Sequence, residues 1–225
     1  MHRYRFHDYD ELYKVPGLYE HLFYETLECQ SPKVICELLG DQLAETSSSP
    51  QSLRVLDIGA GNGIVGETLA KMGADEIVGV DIIPEAAEAA MRDRPEVYDD
   101  YHVLDLTSIP EPIAKSLRAQ GLNCLVTVAA LGFGDMPALA FANAFNLLCS
   151  PAWVAFNIRD RFLDEDSKES SGFSRLIKRM VKEGALAIRA KKRYRHRFNV
   201  VGEPLYYDAI VGVKTGQVDV EGIQG

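Results

Sequence analysis

The run Val55-Leu56-Asp57-Ile58-Gly59-Ala60-Gly61-Asn62-Gly63 holds the residues of this chain best suited to chemistry. Apolar residues lead into glycines at alternate positions, as in a strand that turns sharply into a helix. Such a turn aims backbone N–H groups and the positive end of a helix dipole at a ligand. Gly59 and Gly61 let the main chain come close to that ligand, where a Cβ would stand in the way. The spacing is GxGxG, whereas the third glycine of the dinucleotide fingerprint GxGxxG would fall where Ile64 stands. Asp57, just ahead of the first glycine, would repel a pyrophosphate but suits an α-amino group. The loop therefore favours a ligand with an uncharged ribose and an amino-acid tail.

Two further carboxylates follow the same plan. Asp81 ends the next apolar run, Glu76–Val80, about twenty residues past the loop, where it can accept both hydroxyls of a ribose. Asp105 closes a third run, Tyr101–Leu104, where it could accept from an adenine amino group. Acidic residues at three successive strand ends share one rim, the edge on which open α/β sheets bind ligands.

The elements that must position these residues alternate strand and helix. Strands are expected at Arg54–Ile58, Glu76–Val80, Tyr101–Leu104, Leu125–Ala130 and Trp153–Ile158, separated by helices near 64–72, 84–92, 113–119 and 135–148. That rhythm predicts a doubly wound, mostly parallel α/β sheet. Residues 1–46 read as an N-terminal helical cap, with Leu18, Leu22, Phe23 and Leu27 on one stripe and Ser31-Pro32 opening a second helix. A polar linker, Thr46–Pro50, separates it from the core at 53–158. Residues 159–183 read as a polar loop and a helix that could serve as a lid. Two strand-like runs, Ala185–Phe198 and Leu205–Lys214, are joined by a short turn and must pair antiparallel. The tail from 215 to 225 is expected to be loose, and the whole is expected to be a single domain.

Composition narrows the function classes. The chain has 225 residues, 47% of them hydrophobic, and a net charge of -9, which argues against a general nucleic-acid coat. Cys29, Cys36, Cys124 and Cys149 have no metal-ligand spacing, so no metal is expected, and Cys124 and Cys149 sit in apolar runs that suit buried thiols. The N-terminus lacks the apolar run of a signal peptide, and no stretch is long enough to span a bilayer. A cytoplasmic location is the expectation.

With these motifs in place, the chain resembles the class I S-adenosylmethionine-dependent methyltransferases. Val55–Gly63 looks like their first motif, Val78–Asp81 their second and Leu104–Leu106 their third, and the final strand pair looks like the β-hairpin that closes their Rossmann-like fold. Val128–Gly134 followed by a proline is similar to small Williams–Beuren region methyltransferase-like proteins. The resemblance implies S-adenosyl-L-methionine as cofactor and S-adenosyl-L-homocysteine as product. Gly59, Ala60, Gly61 and Gly63 would then pack on the methionine part and ribose, with Asp57 near the amino end. Asp81 would hold the ribose hydroxyls, and Ile82 would pack on adenine. Asp105 and Leu106 would border the adenine amino edge, and Ala129 would lie beneath the sulfonium. Tyr13 and Tyr24 could cover the cofactor. The sequence departs from the superfamily at Asn123, where an acidic residue is frequent. It also lacks the acidic-aromatic tetrapeptide used on amines and nucleobases.

The acceptor end is less defined. Asp135 and Arg159 lie on the same rim as candidate substrate contacts, and Asp135 and His196 are candidates for a general base, though neither is assigned that role. Period-two alternation would put Arg189, Lys191, Arg193, Arg195 and Arg197 on one solvated face of an edge strand, with His196 on the other. The acceptor is expected to be a small molecule rather than a nucleic acid. Alternatives are a silent cofactor-binding protein, a nucleotide-binding oxidoreductase, and another group transfer on an altered cofactor.

Overall fold

The computed structural model describes residues 7–46, 52–131, 136–159 and 172–223. These form one seven-stranded sheet in the order β3-β2-β1-β4-β5-β7-β6. The strands are β1 (Arg54–Ile58), β2 (Glu76–Asp81), β3 (Asp100–Val103), β4 (Cys124–Thr127), β5 (Ala152–Arg159), β6 (Leu186–Phe198) and β7 (Pro204–Lys214). Strands β1 to β5 pair in parallel, and β7 runs antiparallel between β5 and β6. The mostly parallel α/β sheet with a closing hairpin is the architecture the alternation predicts. The order reverses between β1 and β4, which makes their carboxyl ends the switch point where a crevice opens.

The helices are α1 (Tyr9–Lys14), α2 (Leu18–Glu20), α3 (Ser31–Thr46), α4 (Ile64–Lys71), α5 (Pro84–Asp93), α6 (Glu111–Ala119), α7 (Ala138–Leu147) and α8 (Gly172–Lys182), with a π-helical segment at His21–Thr26 after α2. Each forms where its sequence stops competing structures. Gly73 takes a φ of 89° and ends the turn after α4, while Pro84 opens α5 where its missing N–H costs nothing. One face of the sheet buries Ile35, Leu39, Val65 and Leu69 of α3 and α4. The other buries Phe141, Phe145 and Phe173 of α7 and α8 against Phe156.

Several expectations need correction. β4 stops at Thr127 rather than running to Ala130, because Ala129 adopts a φ of +60°, outside any strand. The C-terminal segment is docked, not loose: Val218 is buried, and its N–H and C=O pair with the Asn146 side chain at 2.9 and 2.8 Å. Nearby, buried Lys214 donates to the carbonyls of Phe145 and Leu148 at 2.8 and 2.7 Å, satisfying the open end of α7. Cys149 is exposed, whereas Cys36 and Cys124 are buried. The lid expected at 159–183 lies partly outside the described residues, and its described part is Arg159 and helix α8.

The basic run of β6 does not form one face. Two register shifts against β7 leave Arg189 and His196 without cross-strand partners. After the first, Lys191 pairs with Asp208 at 2.9 Å, Arg193 lies over the Tyr206 ring and Arg195 reaches Glu28 at 3.0 Å. Past the second, Arg197 lies near the Phe23 ring. Bulges of this kind bend a strand and re-aim side chains.

Candidate functional site

A cavity of about 420 Å³ opens above the carboxyl ends of the parallel strands. That volume falls in the range usual for a small-molecule or cofactor site. Its lining divides by strand. Asp81, Ile82, Asp105 and Leu106 border it from the β2 and β3 side, Gly59 and Ala129 from the centre, and Cys29, His196, Arg197 and Tyr207 from the hairpin side. Tyr9, Tyr13, Tyr19, Phe23 and Tyr24 of the N-terminal helices complete it. These rings pack on one another, with Tyr13–Tyr19 and Tyr19–Phe23 centroids 4.9 and 4.7 Å apart.

Asp81 stands at the end of β2 with each carboxylate oxygen already accepting one backbone proton, Oδ2 from Gly61 (2.9 Å) and Oδ1 from Ile83 (3.0 Å). Each oxygen keeps a lone pair for a ligand hydroxyl. Burial raises its pKa, against the lowering effect of those N–H groups. Ile82 beside it is 61% exposed, an apolar side chain offered to the cavity. Asp105 is exposed and accepts from the Thr107 N–H and hydroxyl at 2.8 and 2.7 Å, which lowers its pKa.

Asp57 lies deeper, 1% exposed, beneath the glycine loop. Its Oδ2 accepts from the Tyr98 hydroxyl at 2.8 Å, while Oδ1 is buried and has no partner among the described residues. Burial pushes its pKa up from 3.8 to about 7, with the Tyr98 hydrogen bond opposing and the Asp81 charge reinforcing that rise. A buried acceptor of this kind calls for a donor. Gly59 has a φ of 69°, and a Cβ there would meet Ala130 Cβ at 3.0 Å. The other motif residues, Ala60, Gly61 and Gly63, are buried and face protein: Tyr13 lies over Gly61, and Tyr98 and Arg94 lie against Gly63. Arg94 is the clasp here, donating to Glu20 of α2 (2.8 Å), Glu67 of α4 (2.9 Å) and the Asn62 carbonyl (3.1 Å).

On the hairpin side a buried polar chain runs through the structure. Asn157 Oδ1 accepts from the strained Ala129 N–H at 2.7 Å, and its amide donates to Tyr194 (2.7 Å) and Ser31 (3.1 Å). Ser31 in turn meets the Tyr194 hydroxyl at 2.6 Å and His196 Nδ1 at 2.5 Å. The His196 ring packs against Tyr207 at a tilt of 31° with centroids 4.1 Å apart. Burial, and then the Arg197 and Arg159 charges, hold its pKa down to about 3, so it is neutral. Sequence reasoning named His196 and missed Asn157, Ser31 and Tyr194. Their contacts span 37 to 165 residues of chain, so no local motif could reveal them.

Arg159 ends β5 opposite Tyr207, and its charge reaches His196, but it does not border the cavity. Asp135 lies outside the described residues. Asn123, at the site where an acidic residue is frequent, ties strands together instead: it accepts from Arg54 N–H at 2.9 Å and donates to Ser52 C=O at 2.7 Å.

The comparisons with known proteins bear on the fold. Residues 38–104 match the family described as ribosomal protein L11 methyltransferase (PrmA). No curated protein sequence matches the chain. Among solved structures, the plantazolicin methyltransferase BpumL in complex with SAH is similar, with 13% identity, a TM-score of 0.60, and coverage of 93% of this chain and 90% of that one. A protein from Pyrococcus horikoshii described as a candidate RNA methyltransferase has 14% identity and a TM-score of 0.57, over 82% of this chain and 84% of its own. The N-methyltransferase NodS from Bradyrhizobium japonicum WM9 has 18% identity and a TM-score of 0.52, over 80% of this chain and 96% of its own. The fold is that of the class I S-adenosylmethionine-dependent methyltransferases. Among the described residues no helix is long and apolar enough to cross a membrane.

Proposed function

We propose that the protein is an S-adenosylmethionine-dependent methyltransferase acting on a small-molecule acceptor. The observation that carries this reading is the rim: Gly59, Asp81, Ile82, Asp105, Leu106 and Ala129 border one cavity at the switch point, while Asp57, on β1 and not itself in the cavity lining, holds an oxygen with no partner among the described residues. In this reading Asp81 accepts the ribose hydroxyls and Ile82 covers the adenine face. Asp105 and Leu106 border the adenine edge, Asp57 receives the amino group directly or through water, and Gly59 keeps the space above the loop free. Ala60, Gly61 and Gly63 give the loop its shape. The bound cofactor supplies the electrophilic methyl group; the chain aligns the nucleophile and keeps water out. The rings of Tyr9, Tyr13, Tyr19, Phe23 and Tyr24 line the cavity together with the strand ends, and an enclosure of this kind favours a small acceptor over a polymer. The PrmA match, which carries a protein acceptor in its name, supports the cofactor half alone, since it ends at residue 104.

Calorimetric titration tests the first step: both S-adenosylmethionine and S-adenosylhomocysteine are expected to bind and NAD to give no heat. Tight NAD binding with silence toward both sulfur compounds would sink the reading. Transfer of labelled methyl from the cofactor to a cell extract should then appear in the low-mass fraction; label only in protein or RNA would remove the small-molecule assignment.

A further inference from the structure

The hairpin end of the cavity carries a built recognition site, and its hydrogen positions follow from counting protons. Asn157 Oδ1 faces the Ala129 N–H, so the amide nitrogen faces Tyr194 and Ser31 and donates to both. One proton lies between the Ser31 and Tyr194 oxygens. If Ser31 supplied it, the Tyr194 proton would have no acceptor among the described residues, inside a buried cluster where that is costly. Tyr194 therefore donates to Ser31, and Ser31 donates to His196 Nδ1. The Cys29 sulfur, 3.9 Å from the same nitrogen and also within reach of the Ser31 hydroxyl, is the weaker acceptor beside that 2.5 Å contact, and Ser31, already accepting from Asn157 and Tyr194, has no lone pair left for an Nδ1–H. The imidazole is thereby fixed as the Nε2–H tautomer. His196 is also the residue that the second β6 bulge leaves without a cross-strand partner, and it borders the cavity beside Arg197. This end offers a hydrogen-bond donor, the positive charge of Arg197, whose Nη1 also donates to the Phe198 carbonyl at 2.9 Å, and aromatic walls from Tyr207, Phe23 and Tyr24.

We infer that His196 Nε2–H and Arg197 receive the carboxylate of a small aromatic acid, which is the methyl acceptor. The inference rests on the methyltransferase reading given above. A carboxylate oxygen attacks with its own lone pair: the O–C bond forms as the C–S bond breaks, its electron pair staying on sulfur, and the products are a neutral methyl ester and a neutral thioether. No proton is released, so no general base is required. A neutral histidine that resists protonation fits this role and could not serve as that base. Ser31, Tyr194 and Asn157 are positioning residues that hold the donor tautomer, and through Ala129 the same chain reaches the turn after β4.

The test combines three measurements on the full-length protein. In ¹⁵N-resolved imidazole spectra without ligand, His196 is expected as the Nε2–H form, unchanged from pH 8 to pH 5; an Nδ1–H ring overturns the relay. Labelled methyl transfer is then measured with benzoate, phenylacetate, cinnamate and indole-3-acetate, against benzylamine and tryptamine. Transfer to at least one acid as an ester, with none to the amines, is expected. His196→Phe, which keeps the packing against Tyr207, should raise KM for that acid at least tenfold while leaving cofactor affinity unchanged, and His196→Gln should recover part of the loss. Tyr194→Phe provides the same readout if the histidine variants fail to fold. Cofactor binding with transfer only to amines, or to no acid, overturns the carboxylate assignment alone. Absence of cofactor binding overturns the reading beneath it and the assignment with it.

Discussion

The two sides of the cavity are built by different means. On the β1-β2-β3 side, each short parallel strand has an acidic residue within two positions of its carboxyl end, so local sequence sets the rim. On the β4-β5-β7-β6 side, polar groups from α3, β5 and β6 meet behind a bulge, and the surface they make depends on contacts between distant parts of the chain. The first side is cheap to specify and tolerates drift elsewhere. The second is a cooperative network, in which losing one member leaves the others buried and unsatisfied.

The contrast can be broken at either side. Asp81→Ala should weaken S-adenosylmethionine binding about 100-fold, or about 3 kcal/mol, the scale of one or two hydrogen bonds to a charged acceptor. Calorimetric titration reads it, and an unchanged affinity would move the ribose contact off this rim. Asn157→Leu should instead act on stability, because it strands the Ala129 N–H and frees the Tyr194 and Ser31 hydroxyls. A loss of about 2 kcal/mol in urea unfolding is expected, with cofactor affinity little changed.

Asp57 joins the two readouts. Its raised pKa of about 7 means the folded state holds a proton the unfolded state releases near 3.8. The associated stability is present in full below that lower value and is lost as pH rises through about 7. Asp57→Asn should therefore gain stability relative to the parent between pH 5 and pH 8 in thermal melts. If the carboxylate receives the cofactor amino group, affinity in the parent should rise on the order of tenfold from pH 6 to pH 8, and the Asn variant should be flat. A parent as flat as the variant would remove Asp57 from the contact. The smallest effect belongs to Ala129→Gly. Relief of the left-handed φ is worth about 1–2 kcal/mol and the added freedom of the unfolded chain costs about 0.5–1, so a net gain of about 0.5 kcal/mol is expected from denaturant unfolding.

This asymmetry also explains what the sequence made legible. The order of elements, the glycine loop and the rim positions Asp81, Ile82, Asp105 and Leu106 follow from residue types within a few positions of one another. Bulges in β6 carry no such signal, so alternation at Arg189–Arg197 suggested one basic face where the strand turns twice. Ala129 lacks the residue type that advertises a positive φ, and an apolar run through Ala130 therefore read as strand. The C-terminal segment looked polar and loose because its anchor, Asn146, lies 72 residues away on α7. Asn157, in the apolar run of β5, gave no hint that it organises one end of the cavity.

The aromatic roof is hung from both sides. At Glu20 it is held to the glycine loop through Arg94, and near α3 it is knit to β6, where Phe198 N–H donates to the Leu27 carbonyl and Gln30 N–H to the His196 carbonyl, each at 2.8 Å. The second attachment joins almost the first element of the chain to almost the last. A chain emerging from the ribosome can complete β1 to β5 and the acidic rim while its N-terminal segment still lacks half of its fastening. The roof precedes β1 in the chain while part of its fastening waits for β6, so closing the cavity's cover carries the entropy cost of a long loop.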